Sequence, residues 1–85
     1  MPRSARILFY ATAREAVGRA SVDVPVPAAG ARLSDLLAGL VAEHRGLSAV
    51  LPSCRVARNG RYVAARTGRV RPGDEIAIHP PYSGG

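Results

Sequence analysis

The sequence contains no lysine and only one cysteine, Cys54, among its 85 residues. A single cysteine excludes an internal disulfide and any metal site built from several cysteines. Without lysine, the chain cannot accept an isopeptide bond on its own side chains. No apolar run approaches the roughly 20 residues that span a bilayer, and the N-terminus lacks a signal peptide's separate apolar segment and cleavage site. These absences predict a cytoplasmic protein with no membrane partner.

The common sets of catalytic residues are missing as well. There is no Ser-His-Asp set, no pair of carboxylates at catalytic spacing and no phosphate-binding loop. A chain of 85 residues forms one domain with a small core, which leaves little room for a deep enzymatic pocket. We therefore expect no active site of its own, no metal site and no stably bound cofactor, and the sequence leaves open whether the chain counts as an enzyme. His44 is interpreted as a charge near a helix end, and Cys54 as a small buried residue.

The basic charge of the chain consists entirely of arginine. Twelve arginines against six acidic residues give a formal net charge of +6. The arginines are scattered from Arg3 to Arg71 and form no stripe with aromatic residues, which argues against a nucleic-acid partner. The abundance of Ala, Arg, Gly and Pro indicates a GC-rich genome as one source of this charge. A basic face for an acidic partner or a phosphorylated substrate is the alternative.

Apolar patterns predict two strands, then a helix. Residues 6–10 are rich in β-branched and aromatic side chains, and residues 20–26 alternate valines with polar residues, with Pro25 marking an edge strand. A helical turn over 11–17, ended by Gly18, connects them. The main helix begins at Leu33, since leucines and a valine follow at i+3, i+4, i+7 and i+8. Ser34 or Asp35 is expected to cap its start, and Gly46 to end it. Gly39, within the helix, is expected to allow a close approach to the sheet.

The second half of the chain predicts a hairpin and a final strand. Asn59-Gly60 between two strand-like runs indicates a type I′ turn that pairs Arg58 with Arg61 and Ala57 with Tyr62. A turn at Pro72-Gly73-Asp74 leads into the last strand, residues 75–79. The order strand, strand, helix, hairpin, strand is that of the ubiquitin-like β-grasp, an α+β fold. We expect a mixed sheet of about five strands packed against one main helix, with the first and last strands parallel at its centre.

Side-chain alternation predicts which residues share the sheet face that the helix leaves uncovered. Ile7, Phe9, Ile76 and Ile78 should point toward the helix. The opposite face should then carry Leu8, Tyr10, Tyr62 and His79, with Ala57 and Ala77 between them. This set is more apolar than solvent exposure explains, so it is predicted to dock partner proteins.

The last six residues form a distinctive end to the chain. Pro80 and Pro81 lack backbone donors and favour an extended exit from the last strand. They are followed by Tyr82, Ser83, Gly84 and Gly85, of which the glycines present no Cβ to a surface that closes around them. We divide the chain into a domain over 1–79 and a flexible Gly-Gly tail over 80–85. The geometry suits a tail inserted into the active site of another protein.

Three stretches together resemble the small sulfur-carrier subunits of molybdopterin synthase, within the ubiquitin-like family of thiamin and molybdopterin sulfur carriers. These stretches are Leu8-Phe9-Tyr10-Ala11 with Arg14-Glu15 and Val17-Gly18, then Asn59-Gly60, and finally Gly73-Asp74-Glu75-Ile76-Ala77 running into Pro80-Pro81 and Ser83-Gly84-Gly85. The Pro-Pro-x-Ser-Gly-Gly ending is the most specific part. Tyr82 and His79 depart from the family pattern, which more often has a smaller aliphatic and an apolar residue there.

The resemblance implies a cycle of sulfur chemistry at Gly85. An adenylating, ubiquitin-activating-like enzyme would use ATP to activate the carboxylate, and a sulfurtransferase would supply persulfide sulfur, leaving a thiocarboxylate. A large synthase subunit, expected to assemble with this chain as a heterotetramer, would receive the tail. The sulfur would then pass to cyclic pyranopterin monophosphate in molybdenum cofactor biosynthesis. Catalytic acid–base groups would belong to the large subunit.

Two other functions remain open from the sequence. The chain could carry sulfur for thiamin, cysteine or tRNA thiolation, since carriers in those pathways share the Gly-Gly ending. It could also be a ubiquitin-like modifier joined through Gly85 to lysines of target proteins.

Overall fold

In the computed structural model, which describes residues 2–81, one helix crosses one face of a five-stranded mixed sheet. The strands of this sheet are β1 (Ser4–Phe9), β2 (Ser21–Pro25), β4 (Arg55–Arg58), β5 (Arg61–Tyr62) and β7 (Glu75–His79). Their spatial order is β2-β1-β7-β4-β5. β1 and β7 pair in parallel, whereas the β1–β2, β4–β7 and β4–β5 pairs are antiparallel. The predicted β-grasp fold, with parallel first and last strands at the centre, is confirmed.

The remaining elements connect these strands. The helices are α1 (Ala11–Val17), α2 (Leu33–Glu43) and α3 (Leu47–Val50), and 3₁₀ turns occupy Leu51–Ser53 and Ala64–Arg66. A second, two-stranded sheet joins β3 (Ala31–Arg32) to β6 (Arg69–Val70). This small sheet was not predicted from the sequence.

The core lies between α2 and the sheet. It contains all four leucines on the buried side of α2 together with alternate residues of the central strands: Leu33, Leu36, Leu37, Leu40, Ile7, Phe9, Val56, Ile76 and Ile78. The alternation that assigned Ile7, Phe9, Ile76 and Ile78 to the core is therefore correct. Ala57 is also buried but lies outside this core cluster, as expected for a residue on the opposite sheet face.

The ends of α2 differ from the prediction. Neither Ser34 nor Asp35 caps the helix, because it begins at Leu33, whose amide donates instead to the carbonyl of Gly68 at 3.0 Å. At the other end the helix stops at Glu43, with the amide of His44 bonded to the carbonyl of Leu40. Gly46 has right-handed dihedral angles and precedes α3, so the prediction that it stops the helix is wrong.

The Asn59-Gly60 turn is tied to the start of β7. Both turn residues have positive φ, 50° and 85°, as a type I′ turn requires. The Asn59 side chain donates to Asp74 Oδ1 at 3.1 Å and accepts from the amide of Glu75 at 2.9 Å. The predicted Arg58–Arg61 and Ala57–Tyr62 pairs are present. These bonds fix the hairpin against β7, the strand that leads to the tail. The hairpin carries Tyr62.

Candidate functional site

Three of the four predicted docking residues meet as a group of rings at the end of the sheet where β7 stops. The Tyr10 and His79 rings stack with their centroids 4.6 Å apart and their planes 6° from parallel. Tyr62 meets His79 edge-on, at 6.1 Å and 73°. Leu8 lies further along the same face, paired in register with Ala77 and half-buried. We call Leu8, Tyr10, Tyr62 and His79 the outer face.

The strand ends place these rings. Tyr10 follows β1 with extended dihedral angles, and its amide donates to the carbonyl of Ile78 at 3.3 Å, which continues the strand pairing by one residue. Ala11 then takes a φ of 49°, in the left-handed region, and the chain turns into α1. The hairpin turn sets the position of Tyr62, since the pairing of Tyr62 with Ala57 follows from two-residue closure.

Exposure distinguishes this face from the rest of the described surface. Tyr10 is 43% exposed and Tyr62 is 60% exposed, and among residues 2–81 they are the exposed large hydrophobic side chains. Both lie within one group of rings, although Tyr10 follows β1 and Tyr62 lies on β5, two strands that are not neighbours in the sheet. Aromatic side chains grouped in this way are typical of protein contact surfaces.

Arg55 belongs to the same group and was missed as a site residue. Its guanidinium carbon lies 5.1 Å from the centroid of the Tyr62 ring, a cation–π contact, and Arg55 pairs in register with His79. The signal was present in the sequence, because Arg55 is two residues before Ala57 on the same strand and must share its face.

The tail begins directly beside these rings. β7 ends at His79, Pro80 is half-buried and Pro81 is exposed. The missing N–H groups of the two prolines prevent the strand ladder from continuing. The other predicted tail residues, Tyr82, Ser83, Gly84 and Gly85, lie outside the described residues, so the roles assigned to them and to the docking residues stay predictions.

The remaining candidates are structural. Cys54 is buried, and its thiol donates to the carbonyl of Val50 at 3.2 Å. Burial raises the pKa of Cys54, although the nearby Arg66 charge acts to lower it. His44 lies at the end of α2, with Nε2 4.0 Å from a carboxylate oxygen of Glu43. In residues 2–81 no three His, Cys, Asp or Glu side chains come together as metal ligands would.

A five-stranded mixed sheet under one helix, with the chain leaving its central strand beside a group of exposed rings, defines a ubiquitin-like β-grasp protein. A family model described as the ThiS family matches residues 7–85, and the chain belongs to this family. The chain is 37% identical to a molybdopterin synthase sulfur carrier subunit of Chlamydomonas reinhardtii, over 94% of this chain and 96% of that protein. A protein of the same name from Anopheles gambiae is 39% identical, over 94% and 90%.

Solved structures agree on the fold. The crystal structure of SAMP1 from Haloferax volcanii superposes with a TM-score of 0.80 and 34% identity, covering 96% of this chain and 99% of that one. Subunits 1 and 2 of a molybdopterin-converting factor from Helicobacter pylori form a complex whose matching chain has a TM-score of 0.70 and 22% identity, covering 96% and 99%. Across residues 2–81, no helix combines the length and hydropathy needed to cross a membrane.

Proposed function

We propose that this chain is the sulfur carrier subunit of a molybdopterin synthase and that it carries sulfur as a thiocarboxylate on Gly85. The observation that supports this most directly is its identity of 37–39% to molybdopterin synthase sulfur carrier subunits over nearly the whole chain. The family match extends through Gly85, so the Gly-Gly ending belongs to the shared region. The acceptor of the sulfur is proposed to be cyclic pyranopterin monophosphate.

The chemistry at Gly85 needs an activated carboxylate, since a free carboxylate is a poor electrophile. An oxygen of the Gly85 carboxylate attacks the α-phosphorus of ATP, and pyrophosphate leaves. The terminal sulfur of a protein persulfide then attacks the carbonyl carbon and displaces AMP. A second thiol attacks the resulting acyl disulfide, which leaves a thiocarboxylate on Gly85 and a disulfide on the donor.

The large subunit supplies the rest of the site in this proposal. The sequence of this chain contains no recognisable set of catalytic side chains, and its described surface has no metal-binding group. The acid–base groups and the pterin-binding residues are therefore assigned to the large subunit. This chain contributes the sulfur and the arm that delivers it. The Helicobacter pylori complex of two subunits provides a precedent for such a pairing in the same fold.

The outer face is proposed as the docking surface for the large subunit and, at another time, for the activating enzyme. Both partners must receive the same tail, so both must approach the end of the sheet from which it leaves. Changing Tyr62 to Asp places a charge among the rings at an exposed position. We expect the affinity for each partner to fall about tenfold or more, as for aromatic residues at the centre of an interface.

Titration calorimetry with each purified partner tests this docking proposal. Ala42→Asp is the matched control, because it adds the same charge at an exposed position of α2, on the other side of the sheet. Unchanged affinity of the Tyr62→Asp chain for both partners would remove the outer face from the proposal.

A specific observation supports a second candidate function. SAMP1, to which this chain is 34% identical, is named a small archaeal modifier protein. A modifier would be joined through Gly85 to lysines of other proteins, although it could not build chains on itself because it has no lysine. Mass spectrometry of the protein from its native host separates the candidates. Higher-mass conjugates support a modifier, whereas free chains with one oxygen-to-sulfur exchange support a carrier.

The pathway served is decided by the captured partner. Purification of the chain with its bound partners from the host should yield a pterin-binding large subunit. Capture of a thiazole-forming enzyme, a cysteine-synthesising enzyme or a tRNA-thiolating enzyme in its place would assign the carrier to another pathway.

A further inference from the structure

Arg55 places a positive charge beside the outer face, at the end of the sheet where the tail leaves. Arg55 is exposed, and its guanidinium lies over the Tyr62 ring rather than pointing away from the sheet. Across the strand pair it stands opposite His79, whose imidazole can donate a hydrogen bond. A partner that covers Tyr62 must therefore cover Arg55 too.

Within residues 2–81, no carboxylate forms an ion pair with Arg55. The ion pairs within residues 2–81 are Arg6–Asp23 and Glu43–His44, and neither involves Arg55. The acidic residues of this sheet face, Asp23 and Glu75, lie at its opposite end, where both stand next to Arg6 in the strand register. Glu75 is four residues before His79, a separation of roughly 13 Å along the strand. That exceeds the Debye length of about 8 Å at physiological salt.

A cavity of about 510 Å³ is lined in part by Arg55 and Tyr62. A second arginine, Arg66, borders it, but the Arg66 guanidinium donates to the backbone carbonyls of Leu51 and Cys54. Arg55 has no such internal acceptor among its described contacts. Within residues 2–81, its N–H groups are therefore available at the rim between the rings and this cavity.

We propose that the large subunit, docked on the outer face, presents a carboxylate to Arg55, within hydrogen-bond reach of His79. Taking a guanidinium out of water without a counter-charge is costly, so an apolar partner surface would not fit over Tyr62. An Asp or Glu in that place forms a charge-assisted pair with the planar guanidinium. This inference rests on the proposed docking function, and it specifies the chemistry of the partner's surface.

Arg55→Met gives the most discriminating test, because methionine keeps an unbranched stem against the Tyr62 ring while it removes the charge. If the partner presents a carboxylate, that carboxylate loses its counter-charge, and we expect affinity for the large subunit to fall about tenfold or more. An apolar partner surface would instead leave the affinity unchanged or raise it. Arg55→Glu should weaken the complex further, and the salt dependence of binding should decrease in both variants.

Arg45→Glu is the matched control, since Arg45 is exposed after the end of α2, on the helix side of the sheet. Its affinity should stay within about twofold of that of the unchanged chain. Equal losses of affinity in Arg45→Glu and Arg55→Glu would overturn the proposal, because the change in net charge would then explain both losses. A loss of affinity in Tyr62→Asp without a loss in Arg55→Met would overturn the proposed carboxylate but not the docking surface. Failure of the unchanged chain to bind any large subunit would instead overturn the proposed function.

Discussion

Cys54 is the only thiol of the chain, and its surroundings make it a poor sulfur acceptor. It is 7% exposed, and burial raises its pKa, so the neutral thiol predominates at neutral pH. We predict slow alkylation of Cys54 by iodoacetamide in the native protein and rapid alkylation in urea. Cys54→Ala should still acquire sulfur from the activating system. Rapid labelling of the folded chain would contradict the burial of the thiol, and loss of sulfur acceptance in Cys54→Ala would show that the thiol participates.

Asp74 joins the hairpin turn to the last strand through its carboxylate. Partial burial acts to raise its pKa, but bonds from the Arg71 amide and the Asn59 side chain, with the charges of Arg58 and Arg71, outweigh burial. The pKa of folded Asp74 therefore lies below the ordinary value of 3.8. The charged carboxylate stabilises the fold above that value, and this contribution is lost as pH falls through the folded pKa.

Asp74→Asn should consequently lower the free energy of unfolding at neutral pH, by about 1 kcal/mol for the weakened bonds. The difference from the unchanged chain should shrink as pH falls below 3.8 and disappear once pH is below the lowered pKa of folded Asp74, where both side chains are neutral. Urea unfolding measured across this pH range checks the prediction. A difference that persists at the acid end would assign the effect to packing rather than to the carboxylate charge.

Gly39 shows how an element can be identified correctly while the role of a residue in it is not. The leucine spacing predicts α2, but the sequence also suggests that Gly39 allows a close approach to the sheet. In the structure Gly39 is exposed, and a Cβ there would meet no atom within 4 Å. The only effect of Gly39 is therefore to lower the helix propensity of α2.

Gly39→Ala should raise the free energy of unfolding by about 1 kcal/mol, because alanine is the better helix former. The same change at Gly60 should have the opposite sign. Gly60 has a φ of 85°, a conformation that costs an alanine about 1–2 kcal/mol. Thermal unfolding of the two variants tests both effects, and a destabilised Gly39→Ala chain would contradict this assignment.

Short-range sequence patterns correctly predicted the elements that depend on residues close together in the chain. The Asn59-Gly60 turn set the hairpin register, and the leucines of α2 identified its buried side. The caps of α2 and the β3–β6 pair were missed for a common reason. The Leu33 amide donates to the carbonyl of Gly68, and Ala31 pairs with Val70. These partners lie far apart along the chain, so no local sequence pattern indicates that they meet.

At the scale of the whole molecule, alternation predicted the members of the outer face but not their contacts. The parallel stacking of Tyr10 on His79 depends on rotamers and on the register of two strands from opposite ends of the chain. The place of Arg55 over Tyr62 depends in addition on the hairpin. Sequence alternation thus identifies a face, whereas the tertiary structure determines its charge pattern.

We expect that the end of the tail can be altered without loss of the core. The last strand ends at His79, and within residues 2–81 the buried core residues all precede it. We expect removal of Gly85 to leave the thermal unfolding temperature within about one degree, since no described packing is lost, while it abolishes sulfur delivery. A large fall in unfolding temperature would indicate that the tail also stabilises the domain.

In the proposed function, sulfur is carried on the carboxylate of Gly85. The direct measurement is the intact mass of the chain, with fragmentation of its C-terminal peptide, after incubation with the activating enzyme, ATP and a persulfide donor. We predict one oxygen-to-sulfur exchange, located at Gly85 and dependent on ATP. Sulfur located at Cys54, or an unchanged mass while the activating enzyme consumes ATP on this chain, would contradict it.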